Sequence, residues 1–103
     1  MDWNPTVSTE TERLETASGD FLVALRANEG FQQDLYDALT AALRDCATAW
    51  EGADTLPRAA VGVLVDLVPA TQGAAEAYPE PVKQQVYDAS YELHDLITDA
   101  VEG

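Results

Sequence analysis

Four acidic residues near the end of the chain recur at a spacing that places them on one line of an α-helix. They are Asp88, Glu92, Asp95 and Asp99, at steps of four, three and four residues. Such a row attracts metal cations or the Lys and Arg side chains of a basic protein. Like charges at this spacing destabilise an isolated helix by about 0.2–0.5 kcal/mol per pair. The row is interpreted either as a solvated outer face or as a binding strip.

A second line of polar and aromatic residues runs beside the first. It contains Tyr87, Tyr91, His94 and Thr98. Tyr and His are amphipathic and recur at protein interfaces, so this line is either a flank covered by a neighbouring helix or an edge that binds a partner. His94 has no companion His, Cys or Ser marked by spacing, which favours a helix-flank side chain over a catalytic base. Together the two lines form the predicted interaction surface: Tyr87, Asp88, Tyr91, Glu92, His94, Asp95, Thr98 and Asp99.

Paired carboxylates suggest an enzymatic alternative. Glu12 and Glu15, and likewise Glu92 and Asp95, lie three residues apart and share a helix face. Hard cations such as Mg²⁺ and Mn²⁺ take oxygen ligands of this kind, so a carboxylate-metal phosphohydrolase is one hypothesis. No phosphate-binding Lys or Arg stands near Glu92, and nineteen acids in a short chain produce such pairs by chance. No catalytic or metal-ligating residue is therefore assigned.

The remaining reactive residue types indicate no cofactor. Cys46 is the single cysteine, which excludes an internal disulfide and a cysteine zinc cluster. Its place on an apolar helical stripe predicts a small buried hydrophobic side chain. The glycines form neither a G-x-x-x-x-G-K nor a G-x-G-x-x-G phosphate loop.

The charge balance is extreme. Nineteen acids against five Lys and Arg give a net charge of -14 and a pI near 4.1. This excess repels itself and opposes the compact state. Adaptation to high salt is the first explanation of the excess charge. The Debye length falls to about 3 Å at 1 M salt, so the repulsion between the acids is screened. The second explanation is an acidic surface that mimics nucleic acid or caps a basic protein; the spread of acids along the chain favours the first. DNA, RNA and anionic lipid are disfavoured as direct ligands.

The periodicity of apolar residues predicts four helices in one domain spanning residues 1–103. The first eight residues are predicted to be an extended lead-in, with Trp3 folding back onto the bundle. The sequence Ser18-Gly19-Asp20 predicts either a kink or a restart of the first helix. The predicted helices cover residues 9–27, 31–51, about 57–69 with a continuation past Pro69, and 81–101.

The third helix is unusually apolar. From residue 58 to residue 68, the positions without an apolar side chain are Arg58, Gly62 and Asp66. They recur every four residues and form one narrow stripe. A helix of this kind is expected to be central or to lie in a dimer interface. Pro69 is predicted to end or kink it.

These patterns predict an all-α protein, an antiparallel four-helix bundle whose highly apolar third helix is central. The N-terminal sequence lacks the pattern of a signal peptide, and no apolar run is long enough to span a bilayer, so a cytoplasmic location is expected. The predicted function is a non-enzymatic, salt-adapted interaction or regulatory module. The predicted partners are a basic protein and a second copy of the chain, bound through the third or fourth helix.

Overall fold

The computed structural model describes residues 5–102, and the side chains from residue 9 onward. It contains four helices: α1 (Pro5–Arg26), α2 (Gln33–Ala49), α3 (Arg58–Ala75) and α4 (Val82–Glu102). No strand occurs within these residues. The predicted all-α four-helix bundle is confirmed.

Helix α1 is longer than the sequence predicted. It begins at Pro5, so the extended lead-in is wrong for residues 5–8, while Trp3 and the rest of residues 1–4 lie outside the described residues. Proline suits the first turn of a helix because its missing N–H would have no partner there. The helix also continues through Gly19 without a restart, and the Ser18 hydroxyl donates to the Glu15 carbonyl within the same helix at 3.1 Å.

Helix α3 likewise passes through its proline. Pro69 lies inside the helix, which ends at Ala75. Proline removes one intrahelical hydrogen bond and frees the carbonyl four residues earlier. Pro69 and Val65 are both exposed, so water can satisfy that carbonyl and the helix does not end there.

The helices form a ring in the order α1, α2, α4, α3, in which each contacts two neighbours. Consecutive helices run antiparallel: Arg13 near the start of α1 contacts Asp45 near the end of α2, at 2.5 Å. The two other neighbouring pairs, α1 with α3 and α2 with α4, are parallel. Tyr78, just beyond α3, shows this by donating its hydroxyl to the Leu25 carbonyl near the end of α1, at 2.6 Å. The segment joining α2 to α3 therefore crosses the bundle diagonally.

One continuous core occupies the centre of this ring. Every helix contributes at least one completely or almost completely buried leucine, among them Leu14, Leu43, Leu67 and Leu93. Aromatic rings fill the end of the core nearest the α1–α2 turn, where Phe21 meets the ring of Phe31 edge-on with centroids 5.9 Å apart and Tyr36 at 5.6 Å. Burial of these apolar side chains is the main favourable term in folding.

The expectation that α3 is central is wrong. In the ring each helix buries one face and exposes another, and α3 is no exception. Val61 is 41% exposed and Val65 is 71% exposed, while Leu64 and Leu67 of the same helix are buried. The apolar composition of α3 therefore exceeds what its own core face requires.

Replacing Leu93 by Ala tests the assignment of the core. We expect Leu93→Ala to lower the free energy of unfolding by about 2–5 kcal/mol, because the side chain is completely buried and leaves a cavity. Val23→Ala on the outer side of α1, where Val23 is 62% exposed, should change it by less than about 0.5 kcal/mol. Urea unfolding followed by circular dichroism measures both, and equal effects would contradict the described core.

Candidate functional site

Both lines of the predicted interaction surface lie on α4, on opposite flanks of its buried stripe. Tyr87 and Thr98 are half-buried, and the other six residues are exposed. The line of acids from Asp88 to Asp99 faces the α2 side, because Glu92 accepts a hydrogen bond from the hydroxyl of Tyr36 in α2. The second line, which we call the tyrosine line (Tyr87, Tyr91, His94 and Thr98), faces the α3 side, because the Tyr87 hydroxyl donates to Glu76, the residue that follows α3. Between them on the inner side, Val86 and Leu93 are completely buried.

The carboxylates of the acidic line, which we define as Asp88, Glu92, Asp95 and Asp99, are all exposed. Eleven residues separate the first from the last, a distance of about 16 Å along a helix. None of the four forms an ion pair with a Lys or Arg among the described residues. The line is a continuous strip of negative charge that no Lys or Arg in the described part of the chain pairs with.

Besides the Tyr36 hydroxyl on Glu92, neutral or weakly basic groups contact two further members of the acidic line. The Gln84 side-chain amide donates to Asp88 at 2.9 Å. The His94 Nδ1 atom lies 3.8 Å from an Asp95 oxygen, and this contact is an ion pair only when His94 is protonated. Both contacts leave carboxylate oxygens free to accept further hydrogen bonds, since each carboxylate has about four acceptor sites.

Tyr36 connects the acidic line to the core. Its ring is buried, and its hydroxyl lies 3.3 Å from the Ala89 carbonyl as well as donating to Glu92. Burial and the hydrogen bond to Glu92 both favour the neutral phenol, so they raise the pKa of Tyr36 well above its usual value. Glu92 is thus held in place by a buried side chain of the neighbouring helix.

The tyrosine line divides into a paired and a free part. Tyr87 is half-buried and belongs to a cluster in which Lys83 Nζ contacts Glu76 at 2.8 Å. The hydrogen bonds from Lys83 and Tyr87 lower the pKa of the Glu76 carboxyl. Tyr91 is 56% exposed and lies beside Tyr87, with ring centroids 6.4 Å apart. The cluster positions Tyr87, and Tyr91 remains accessible.

The other two residues of this line show no catalytic geometry. His94 is exposed, and its own backbone carbonyl accepts a hydrogen bond from the Thr98 hydroxyl at 2.9 Å within α4. A general base must lie close to the group whose proton it removes. The hydrogen bonds of residues 9–102 place no nucleophile against the His94 ring.

The paired carboxylates and the cysteine are placed as follows. Within the described part of the chain, no three His, Cys, Asp or Glu side chains are grouped closely enough to hold a metal ion. Glu12 and Glu15 are both exposed on α1. Cys46 is completely buried, as predicted, with its sulfur 3.5 Å from the Glu10 carbonyl, and burial raises the pKa of the thiol to about 11.

Two residues of the site were missed by the sequence analysis. Tyr36 contacts α4 from the neighbouring helix α2, and Glu76 contacts it from the end of α3. Nothing in the local spacing predicts these contacts. A signal existed for Tyr36, because it lies three and seven residues before the buried Leu39 and Leu43. Glu76 carries no such signal, since the pairing of α3 with α4 determines its neighbours.

A four-helix bundle supports many unrelated functions, so the fold alone assigns none. No family model matches the chain, and neither a curated protein nor a solved structure is significantly similar to it. Within residues 5–102, no helix is both long and apolar enough to cross a membrane. The chemistry of the α4 surface is the remaining basis for a function.

The buried hydroxyl of Tyr36 predicts the response to alkaline pH. Tyr36 and Cys46 both have raised pKa values in the folded protein, so the unfolded chain releases these protons first. The stabilisation is complete below the unfolded pKa values and is lost as pH rises, and we expect the free energy of unfolding to fall above about pH 9.

The variant Tyr36→Phe separates the two contributions. Near neutral pH it should cost about 1 kcal/mol, because it removes one hydrogen bond and leaves the ring in place. Above about pH 10 its free energy of unfolding should decline less steeply than that of the unmodified protein. Urea unfolding at a series of pH values measures this, and identical slopes would exclude Tyr36 as a contributor.

Proposed function

We propose that this protein is a non-enzymatic interaction module, adapted to a cytoplasm of high salt, that binds a basic protein through the acidic line and Tyr91 of α4. One observation carries the proposal: four exposed carboxylates share one line of a helix, and none is paired with a Lys or Arg of the described chain. Charge complementarity of this kind gives a protein interface its specificity and its association rate.

The shape of the surface fits a basic helix or an extended basic segment. The acidic line is straight and about 16 Å long, which matches a helix carrying Lys or Arg at steps of four, three and four residues. Tyr91 stands exposed on the opposite flank of the outer face. Its ring can receive an Arg or Lys side chain by a cation–π contact and adds apolar contact area to the charge pairs.

The role of Tyr91 matters because of the proposed salt. At molar ionic strength, attraction between exposed charges acts over about 3 Å, so charge alone supports little affinity. Close carboxylate pairs and the stacking of a cation on an aromatic ring remain effective at contact distance. The nucleic-acid mimic, our second hypothesis, uses the same line of acids but depends on long-range attraction, so moderate salt would abolish its binding.

The adaptation to salt is supported by the scarcity of compensating ion pairs. Among the described residues, Arg and Lys form ion pairs at only two places, Arg13 with Glu10 and Asp45, and Lys83 with Glu76. All of these side chains are at least partly exposed, and exposed pairs contribute little. The net charge of -14 remains after every Lys and Arg is counted, so only ions from the solvent can balance it.

Stability across a KCl series tests the proposed adaptation. We expect the midpoint of thermal unfolding to rise from dilute buffer to molar KCl, because salt screens the repulsion between surface carboxylates. Circular dichroism at several KCl concentrations measures it, and NaCl at equal ionic strength serves as the control for ion identity. A protein that is fully stable in dilute buffer and unchanged by salt would contradict the adaptation.

Binding of a designed basic peptide tests the surface. The probe is a fluorescent amphipathic helix with four Lys at the spacing of the acidic line. The variant neutralises the line: Asp88→Asn, Glu92→Gln, Asp95→Asn and Asp99→Asn. The control neutralises four exposed acids elsewhere: Glu12→Gln, Glu15→Gln, Asp20→Asn and Asp34→Asn. Both change the net charge equally, so a difference between them reports the site and not the overall charge.

We expect the α4 variant to bind the peptide at least about tenfold more weakly than the control, which corresponds to about 1.4 kcal/mol. Tyr91→Ala should weaken binding by a similar factor at high salt and in dilute buffer, because its contribution is not screened, whereas the effect of the α4 variant should shrink as the salt rises. Anisotropy titrations measure each affinity. If the two neutralised variants bind equally, the acidic line is not the binding site.

A further inference from the structure

The outer face of α3 exposes an apolar row that no element of the described chain covers. Val61 and Val65 stand one turn apart on this face, 41% and 71% exposed, and the exposed Pro69 follows one turn later. Within residues 9–102, no other helix exposes two large apolar side chains one turn apart. Contiguous exposed apolar surface is a feature of interaction sites, and this row is the best candidate for one among the described helices.

The charge of α3 identifies the partner that this face suits. Helix α1 carries four acids and two arginines, α2 three acids and one arginine, and α4 five acids and one lysine. Helix α3 carries one of each, Arg58 and Asp66, and is neutral. Two copies of a chain with a net charge of -14 repel each other least where neutral faces meet.

The same face is complementary to itself. Arg58, Gly62 and Asp66 follow one another at steps of four residues and lie on one line. Arg58 and Asp66 are exposed, and neither pairs with another described residue. If two α3 helices pack antiparallel around a two-fold axis at Gly62, each Arg58 lies opposite the Asp66 of the other copy.

Glycine at the axis permits a close approach of the two helices. Gly62 is exposed, and a Cβ added there would meet no atom within 4 Å in the single chain. The packing of the protomer therefore does not require glycine, although glycine costs helix stability relative to alanine. Because glycine has no Cβ, a second helix crossing at this point can approach the α3 backbone closely.

We propose that the chain forms a homodimer through α3, with the two helices antiparallel and crossing at Gly62. Val61 and Val65 pack against the second copy, and two Arg58–Asp66 pairs fix the register. The acidic line of α4 faces α2, on the side away from α3, so the dimer leaves it open on both copies. This inference is independent of the proposed function.

Sedimentation velocity over a range of protein concentrations tests the dimer. At about 0.15 M KCl the Debye length is about 8 Å, so repulsion between whole molecules is reduced and contact pairs persist. We expect a concentration-dependent dimer that Val65→Asp weakens at least about tenfold. Val23→Asp is the matched control, because Val23 is 62% exposed on α1. A monomer at all concentrations, or equal weakening by both variants, would overturn the proposal.

Charge exchange tests the antiparallel register. Arg58→Asp and Asp66→Arg should each weaken the dimer, because each places like charges opposite one another across the axis. The double variant R58D/D66R restores opposite charges and should dimerise like the unmodified protein. A mixture of the two single variants should form a heterodimer for the same reason. Failure of both rescues would exclude this register.

The glycine is tested with a control on the same helix. Gly62→Gln and Gly73→Gln both replace an exposed glycine whose added Cβ has open space, so both should raise the midpoint of thermal unfolding. Gly73 lies about 16 Å further along α3, beyond the crossing. We expect Gly62→Gln alone to weaken dimerisation. If it dimerises as tightly as Gly73→Gln, the crossing at Gly62 is wrong.

Discussion

The structure depends on one balance: the burial of four apolar stripes in a shared core against the mutual repulsion of the acids that surround it. The buried side chains, Phe21, Leu43 and Leu93 among them, supply the favourable term. The net charge of -14 opposes it, with few ion pairs inside the chain to reduce the repulsion. The margin of stability of a domain is small, so the ionic strength of the solvent becomes part of the folding equilibrium.

The periodicity of the sequence was sufficient to predict the helices but not their arrangement. Local spacing determines which residues share a helix face, and this is sufficient to predict four helices with a buried side each. The ring order α1, α2, α4, α3 depends on contacts between distant residues, such as Tyr78 with Leu25, that no local pattern contains. The apolar composition of α3 was mistaken for a central position because composition does not distinguish a core face from an exposed apolar face.

The surface of α4 shows the same division between local and long-range information. Helical spacing placed Asp88 to Asp99 on one line, and the structure shows all four acids of that line exposed. What spacing could not show is that Tyr36 holds Glu92 from α2, or that Glu76, just beyond α3, accepts a hydrogen bond from Tyr87 on the other flank. These contacts make the two flanks unequal: Glu92 of the acidic flank is hydrogen-bonded to a buried side chain, whereas Tyr91 is exposed and lies beside the ring of Tyr87.

The two ends of the bundle are constructed differently, and local opening should follow that difference. At the α1–α2 turn, Phe21, Phe31 and Tyr36 are packed together, and the Tyr78 hydroxyl also accepts a hydrogen bond from the Gly30 amide at 3.1 Å. At the opposite end, residues 51–55 of the diagonal connection are all exposed. Amide hydrogen exchange and proteolytic cleavage concentrate where few buried contacts resist fraying. Among the described residues, the diagonal connection is therefore expected to open to a protease more readily than the packed α1–α2 turn.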